Sequence, residues 1–417
     1  MALTGRRPEK PPRRSLGSLL AERLWPRVDP INASVWIQAV SLGEIEVARS
    51  LVERLSLLRP GLRILVTATT PAGVELLPRR IPPEADRIVT RPFPLDLPFS
   101  VRRFFDAARP DLLVLVETEI WPGVLTEAGR RGVPVLLVNA RLSERSTRRL
   151  RAAARLFRKP LAAVQRVLAR SEADAGRFLL IGIPEERIEV SGDMKYDRPV
   201  APVPPFADEV LGLAAGRPVL VAGSWADEEV GLLIAARSAM LAGGIEPFLV
   251  VAPRRTESFD AITRRLQDAG LATVRRSRLS SNLEPATPVD VLILDSVGEL
   301  AGTYGLGSVA ILGGTFVPKG GHNVLEPLRC GVPTIVGPST ENIVGALEAA
   351  EGAVFRARDA PSLAASALRL LREPGLRQQA AQAAESLFLR HAGATARCAG
   401  ATLSILDSRR ADLDAGC

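Results

Sequence analysis

Short apolar runs alternate along the chain with longer stretches in which the apolar residues fall three and four apart. In the first half the runs cover residues 35–40, 63–67, 111–116, 134–138, 163–169 and 188–190. Runs this short, rich in Val, Leu and Ile and apolar on both faces, predict five or six strands of a parallel sheet that is covered on both sides. The stretches between them predict helices, and the one after residue 40 presents Ala48, Leu51, Val52 and Leu55 on a single face. Strand, turn and helix in regular succession predict a doubly wound α/β sheet.

Residues 198–206, RPVAPVPPF, interrupt the pattern with a density of prolines that neither a helix nor a central strand tolerates. Beyond this linker the alternation restarts, with strands predicted over 218–222, 248–252, 291–294, 309–312 and 333–336. Two Rossmann-like halves joined by a linker make the GT-B architecture, in which parallel sheets face an interdomain cleft. The expected organisation is a basic tail and short amphipathic helix over 1–30, one Rossmann-like domain over 31–200 and a second over 207–385. A C-terminal helix over 386–417 is expected to cross back to the first domain. A length of 417 residues suits two domains.

Composition narrows the partners. Apolar residues at 47% and charged residues at 24% describe a folded chain. Three cysteines, Cys330, Cys398 and Cys417, make neither a metal pattern nor a disulfide framework, which fits a reducing compartment. Two histidines, His322 and His391, exclude a histidine-rich metal site. The net charge of +8 suits nucleic acid, anionic lipid or an acidic small substrate. Aromatic residues at 4% and the lack of any RNA- or DNA-binding signature argue against nucleic acid. No run of apolar residues is long enough for a transmembrane helix, and the Arg-rich start lacks the apolar centre of a signal peptide. A cytoplasmic protein is expected. Behind the basic tail of residues 1–14, Leu16, Leu19, Leu20 and Leu24 recur at helical spacing beside Trp25. That stripe suits docking on the first domain and contact with a membrane equally well.

The densest chemistry lies in residues 309–338, VAILGGTFVPKGGHNVLEPLRCGVPTIVGP. Gly313-Gly314 and Gly320-Gly321 free the backbone to turn after a strand, and helical spacing begins between His322 and Leu328. A loop that ends on a helix N-terminus at a strand's carboxyl end is a place for an anion, and Glu326 has two oxygens for the hydroxyls of a ribose. The plainer alternative is a tight loop. Ser41-x-x-Glu44 is a capping box by spacing, yet a glutamate at a strand-to-helix turn also suits a general base. Glu117 ends another strand, where it either caps the next helix or serves chemistry. Lys195 alone reads as a surface lysine. Arg254, at a strand end, has the planar fork that grips a phosphate or carboxylate, although a surface arginine has the same spacing. Gly298-Glu299-Leu300 also fits a plain helix start.

Taken together and in order, these blocks resemble the transferases that add 3-deoxy-D-manno-octulosonic acid (Kdo) to the lipid A precursor of lipopolysaccharide. The resemblance runs from about residue 36 to 338 and rests on AVSLGE (39–44), VETEIWP (116–122), NARLSERS (139–146), GDMK (192–195), the Ala222-Gly-Ser224 and Ala252-Pro253-Arg254 blocks, and GGTFVPKGGHNVLEP. It implies Glu44 as catalytic base, Glu117 in support of catalysis, and Lys195 assisting the transition state. It places Ser41, Gly43, Asn139 and Arg141 at the acceptor. It assigns the donor, CMP-Kdo, to Pro253 and Arg254, to Gly298, Glu299 and Leu300, to Gly313, Gly314, Gly320 and Gly321, and to Asn323, Val324, Leu325 and Glu326. A lipid A precursor glycolipid is the implied acceptor and the cytoplasmic face of the inner membrane the implied site of peripheral contact. Neither a cofactor nor a metal is implied, and the Asp412-Leu-Asp414 match at the end of the chain is set aside as a metal site.

Some positions depart from the family pattern. Trp225 follows Ala-Gly-Ser and Arg255 follows Pro-Arg where histidines are usual, Asp193 replaces an asparagine, and only a short amphipathic helix stands where a membrane anchor is common. Two other readings keep the fold: a transferase using another nucleotide sugar such as a UDP-sugar, and a non-catalytic glycolipid-binding protein.

Overall fold

Every apolar run read from the sequence is a strand in the computed structural model, which describes residues 15–27, 29–84, 87–279 and 288–415, with side chains through residue 411. The tail of residues 1–14 and the Asp412 and Asp414 side chains lie outside that description. The first sheet comprises β1 (Val35–Ala39), β2 (Ile64–Ala68), β3 (Ile88–Pro92), β4 (Leu112–Val116), β5 (Val135–Ala140), β6 (Val164–Ala169) and β7 (Ile188–Val190). Its order is β3-β2-β1-β4-β5-β6-β7, with every pair parallel. The chain winds outward from β1 to β3 and then returns, so that β4 pairs with β1. Between those two strands the winding reverses, and the loops after them separate; that is where this kind of sheet opens a site.

Alternation along β1 explains both layers of the first core. Val35 and Ile37 face the helix Leu42–Leu58, whose Ile45, Leu51 and Leu55 are fully buried. Trp36 points the other way and meets Phe104 and Phe105 of the helix Pro98–Ala108. The helix Leu16–Leu24 is capped by Ser15 and docks through one face only. Leu19 is buried, and the Arg23 Nε–H donates to the Phe93 carbonyl at 2.9 Å. Leu16, Leu20, Leu24 and Trp25 stay exposed. Among the described residues no helix is long and apolar enough to cross a membrane.

The second sheet holds β8 (Val219–Trp225), β9 (Phe248–Pro253), β10 (Thr273–Arg275), β11 (Val291–Ile293), β12 (Val309–Leu312), β13 (Thr334–Val336) and β14 (Val354–Arg356). Its order is β10-β11-β9-β8-β12-β13-β14, again all parallel. Here β8 and β12 flank the reversal.

Each sheet therefore has seven strands, more than the five or six and the five expected. The additions are β3, β10 and β14, and all three lie at sheet edges. An edge strand is buried on fewer sides, so it can carry polar residues and needs no unbroken apolar run. Val89, Thr90 and Arg91 of β3 and all of β10 are only half-buried.

Residues 198–204 form neither helix nor strand. The chain divides there into two compact units, one of residues 1–198 with 391–417 and one of residues 199–390. The return to the first unit begins at His391 rather than at residue 386, because the helix Pro374–His391 buries Ala380, Ala384 and Leu387. The helix Ala394–Ala415 then sinks Ala394, Cys398, Ala399 and Leu406 into the same core layer as Val35 and Ile37. Its start is held by Asp197, whose carboxylate accepts the Gly393 N–H at 2.6 Å and the Thr395 N–H at 2.5 Å.

Candidate active site

The first unit gathers acids at its switch point. Glu44 lies in the first turn of the helix that follows β1. Its Oε2 accepts the Val40 N–H at 2.7 Å and its Oε1 accepts the Ser41 hydroxyl at 3.0 Å. This is not the capping box that the spacing suggested. Ser41 donates instead of accepting, its side chain caps no helical N–H, and the carboxylate takes an N–H one residue ahead of the cap. Both oxygens are thereby oriented. Burial lifts the Glu44 carboxyl above its ordinary range; the Val40 N–H pulls it back, the Glu117 charge raises it again, and Ser41 and Lys195 lower it.

Glu117 follows β4, next to β1 in the sheet. Its φ of 62° lies in the left-handed region, an uncommon conformation for a glutamate, while its N–H still bonds the Val138 carbonyl at 3.0 Å. Lys195 Nζ donates to Glu117 Oε1 at 2.6 Å, and Arg141 stands 3.7 Å from Oε2. The chain thus brings Glu44, Glu117, Lys195, Ser41 and Arg141 to one place, and Gly43 sits beside them in the first helical turn.

Asn139 differs from the expectation that it meets the acceptor. It is fully buried, with φ of 50°, and its Oδ1 accepts the Met194 N–H at 2.9 Å. It therefore shapes the turn that carries Lys195. Asp193 fixes the same turn by accepting the Lys195 N–H at 2.9 Å. Buried Asp174 does similar work for the neighbouring loop, accepting the Leu142 N–H at 3.1 Å and pairing with Arg170 at 2.8 Å.

The second unit builds its loop on a buried acid that the sequence reading did not single out. Glu229 is 1% exposed, and its two oxygens accept three backbone N–H groups, from Ala226 at 2.9 Å, Gly314 at 2.8 Å and Phe316 at 3.0 Å. It clamps the loop after β12 to the loop after β8. Gly313 has no room for a side chain, since a Cβ there would meet the Ser224 carbonyl oxygen at 2.5 Å. The second glycine pair is tied back by the Gly321 N–H to the Gly314 carbonyl at 2.9 Å and by the Gly320 N–H to Ser339 Oγ at 2.9 Å.

The helix after these glycines is shorter than the spacing implied, covering Leu325–Arg329 with Glu326 in its first turn. Asn323 precedes it, donating to Glu326 Oε1 at 2.9 Å and accepting the Leu325 N–H at 3.1 Å. Val324 is buried. Arg254, just past Pro253 at the end of β9, is exposed and has no carboxylate partner among the described residues. Burial first, and then the charges of Arg254 and Lys319, hold His322 down at about 4, so the imidazole is neutral and the local potential positive. Gly298, with φ of 94°, leads into the short helix Leu300–Thr303. The Glu299 carboxylate is occupied by Arg276 at 3.2 Å and by the Ser296 hydroxyl.

One further acid escaped the sequence reading. Glu119, two residues past Glu117, accepts the Trp121 Nε1–H at 2.5 Å. Burial first, then the charges of Glu44 and, less strongly, Glu117, push its carboxyl up to about 7 against the pull of the Trp121 bond. Its only sequence signal was its place in the Glu-Thr-Glu stretch.

Two seven-stranded parallel sheets, each with its polar loops at the switch point, define a protein of the GT-B fold. Solved structures share that fold: a glycosyltransferase from Rickettsia africae, with TM-score 0.57 and 13% identity over 91% of this chain and 99% of that one, and UDP-GlcNAc 2-epimerase from Neisseria meningitidis, with TM-score 0.57 and 13% identity over 90% and 99%. The family model described as 3-deoxy-D-manno-octulosonic-acid transferase (kdotransferase) matches residues 13–198. The chain is 37% identical over 375 residues to the 3-deoxy-D-manno-octulosonic acid transferase of Bordetella pertussis, covering 88% of this chain and 86% of that protein. With the transferase of the same name from Haemophilus influenzae the identity is 32% over 321 residues, covering 75% and 72%. The chain belongs to the Kdo transferase family and is a glycosyltransferase.

Proposed function

We propose that the protein moves Kdo from CMP-Kdo to a hydroxyl of a lipid A precursor, with inversion at the anomeric carbon. The acceptor oxygen forms its bond to that carbon as the bond to the CMP phosphate oxygen breaks, and the departing phosphate keeps the electron pair. Glu44 takes the acceptor proton. The observation that carries this reading is the Glu44 carboxylate, oriented at both oxygens, raised in proton affinity and set beside the Glu117–Lys195 pair. Lys195 offers positive charge to the transition state, and Glu117 fixes where that charge sits. For the donor, the support is the glycine loop with exposed Arg254 and neutral His322 close by, a setting of net positive potential suited to a phosphate. The choice of cytidine follows from the sequence blocks that resemble the family. No covalent enzyme intermediate is required.

The test is direct. Purified protein incubated with CMP-Kdo and a lipid A precursor is expected to give a product heavier by one or more Kdo residues. Glu44→Ala is expected to lower the rate by about 10²- to 10⁴-fold with unchanged melting temperature, the range for losing a general base. Near-normal turnover of that variant would return Glu44 to a role at the helix start. Stabilisation by CMP and not by UDP in a thermal-shift titration separates the donor from the UDP-sugar alternative.

Peripheral membrane contact belongs to the same reading. It is supported by the exposed Leu16, Leu20, Leu24 and Trp25, and by seven exposed cations over residues 145–159, from Arg145 to Lys159. Co-sedimentation with anionic vesicles, weakened by replacing Leu20 and Trp25 with serine, checks it.

A further inference from the structure

The helix Leu16–Leu24 adds little to the apolar core, since Leu19 is its only buried side chain. Its stronger tie to the sheet is polar and runs through half-buried Arg23, which pairs with no carboxylate among the described residues. The Arg23 Nε–H donates to the Phe93 carbonyl at 2.9 Å, and an Nη1–H donates to the Thr69 carbonyl at 3.3 Å. Its own carbonyl accepts the Leu95 N–H at 3.0 Å and the Ser100 hydroxyl at 2.6 Å. Thr69 and Phe93 are the first residues past the carboxyl ends of β2 and β3. A planar guanidinium that bonds both carbonyls fixes the spacing between them.

From each carbonyl a short path leads to the acids. The peptide between Thr69 and Thr70 gives its carbonyl to Arg23 and its N–H to the Val40 carbonyl at 3.3 Å, and the Thr70 hydroxyl donates to that same carbonyl at 3.0 Å. Val40 in turn donates its N–H to Glu44 Oε2 at 2.7 Å. On the other side, the buried Phe93 ring lies 5.2 Å from that of Trp121, whose Nε1–H holds Glu119. Leu95 precedes Asp96, whose carboxylate accepts the Gly123 and Val124 N–H groups at 3.0 and 2.8 Å. Asp96 thereby fixes the start of the helix Pro122–Arg130, which follows the stretch that carries Glu117 and Glu119.

We propose that Arg23 is a positioning residue for the transfer reaction, a brace that holds the Val40–Glu44 turn and the Glu117–Trp121 stretch at a fixed spacing. The proposal rests on Glu44 being the base. Without the brace the Thr69–Thr70 peptide is free to shift, and the Val40 N–H shifts with it. That N–H favours the charged form of Glu44, so a slacker bond leaves the carboxyl protonated up to a higher pH. Glu117, Glu119 and Lys195, the charged groups that reach Glu44, are the same with and without Arg23.

The experiment compares the full chain as wild type, Arg23→Gln and Arg23→Lys by kcat, by KM for donor and acceptor, by the pH profile of kcat and by amide hydrogen exchange read by mass spectrometry. Arg23→Gln is expected to lower kcat by about tenfold to a hundredfold, the range for reacting groups displaced by a distant change, and to keep both KM values. The acidic limb of its kcat profile is expected to move to higher pH. Exchange is expected to quicken in peptides covering residues 38–44, 67–74 and 119–125 and to stay unchanged over residues 199–390. Arg23→Lys keeps the cation without the fork that spans both carbonyls, so its kcat is expected to lie between the two. It carries the test should Arg23→Gln fail to fold.

Unchanged kcat and pH profile in Arg23→Gln, with Glu44→Gln inactive, overturn the proposal. Faster exchange spread evenly over residues 15–198 with the pH profile unmoved also overturns it, since that marks a fold merely loosened. Full activity of Glu44→Gln, alongside quickened exchange confined to the three segments in Arg23→Gln, overturns the base reading alone, because the brace would then hold turns whose acid is not the base.

Discussion

At the scale of single residues, several side chains around the candidate site hold loops in place. Glu229 is the clearest case: a carboxylate almost without solvent contact whose oxygens serve three backbone N–H groups. An amide of the same shape has one accepting oxygen and turns an N–H₂ toward donors. Glu229→Gln is therefore expected to leave at least one buried N–H unpaired, at about 1–3 kcal/mol, and to loosen the loop at Gly314 and Phe316. Urea unfolding should show the loss, and donor KM should rise with little change in kcat. The sequence could not disclose this, because Asp227-Glu228-Glu229 reads as an acidic helix start, and its partners at 314 and 316 are far away in the chain. Glu44, Glu117 and Lys195 were legible because each belongs to a recognisable block. Asn139 belongs to one too, and its burial shows where such reasoning stops: a block marks a position as tied to function without saying whether the side chain meets a ligand or holds the residue that does.

At the scale of elements, burial on both faces is what made a strand visible. Central strands such as β4 and β12 carry unbroken apolar runs, whereas β3, β10 and β14 sit at edges and mix apolar with polar residues. The loops after central strands set tighter limits than the strands do. Gly313 packs against the backbone at Ser224 and Trp225, where a Cβ would come within 2.5 and 2.7 Å, so Gly313→Ala has to push the ends of β12 and β8 apart. A loss of about 1–3 kcal/mol in urea unfolding is expected, the range for overpacking. Gly231, in the helix Val230–Ala242, has nothing within 4 Å of the same position. Gly231→Ala is expected to change stability in the opposite direction, by about 0.4–1 kcal/mol, through the lower entropy of its unfolded chain. Opposite signs at two glycines of one unit separate close approach from backbone flexibility. Equal effects would show that the strand ends yield easily.

At the scale of the whole molecule, the first unit is discontinuous. Its sheet is complete by Val190, yet one face of that sheet is finished only by the helix Ala394–Ala415, which fills the layer shared by Val35, Ile37 and Leu51 with Ala394, Cys398, Ala399 and Leu406. The second unit, residues 199–390, lies wholly within the interruption. Alternation of strands and helices revealed two sheets. The last helix is rich in Ala and carries few large apolar residues, so its own residues showed only that it is helical, and its expected return to the first domain came from the two-domain architecture. Ending the chain at Arg390 removes no residue of the second unit and uncovers a face of the first. Such a variant is expected to keep residues 199–390 resistant to limited proteolysis while residues 15–198 become cleavable. Calorimetry should show the heat of unfolding reduced by the share of the first unit. Resistance of residues 15–198 in the shortened chain would mean that the helix covers a core already stable without it, and Asp197, which caps that helix at Gly393 and Thr395, would then tolerate alanine at no measurable loss.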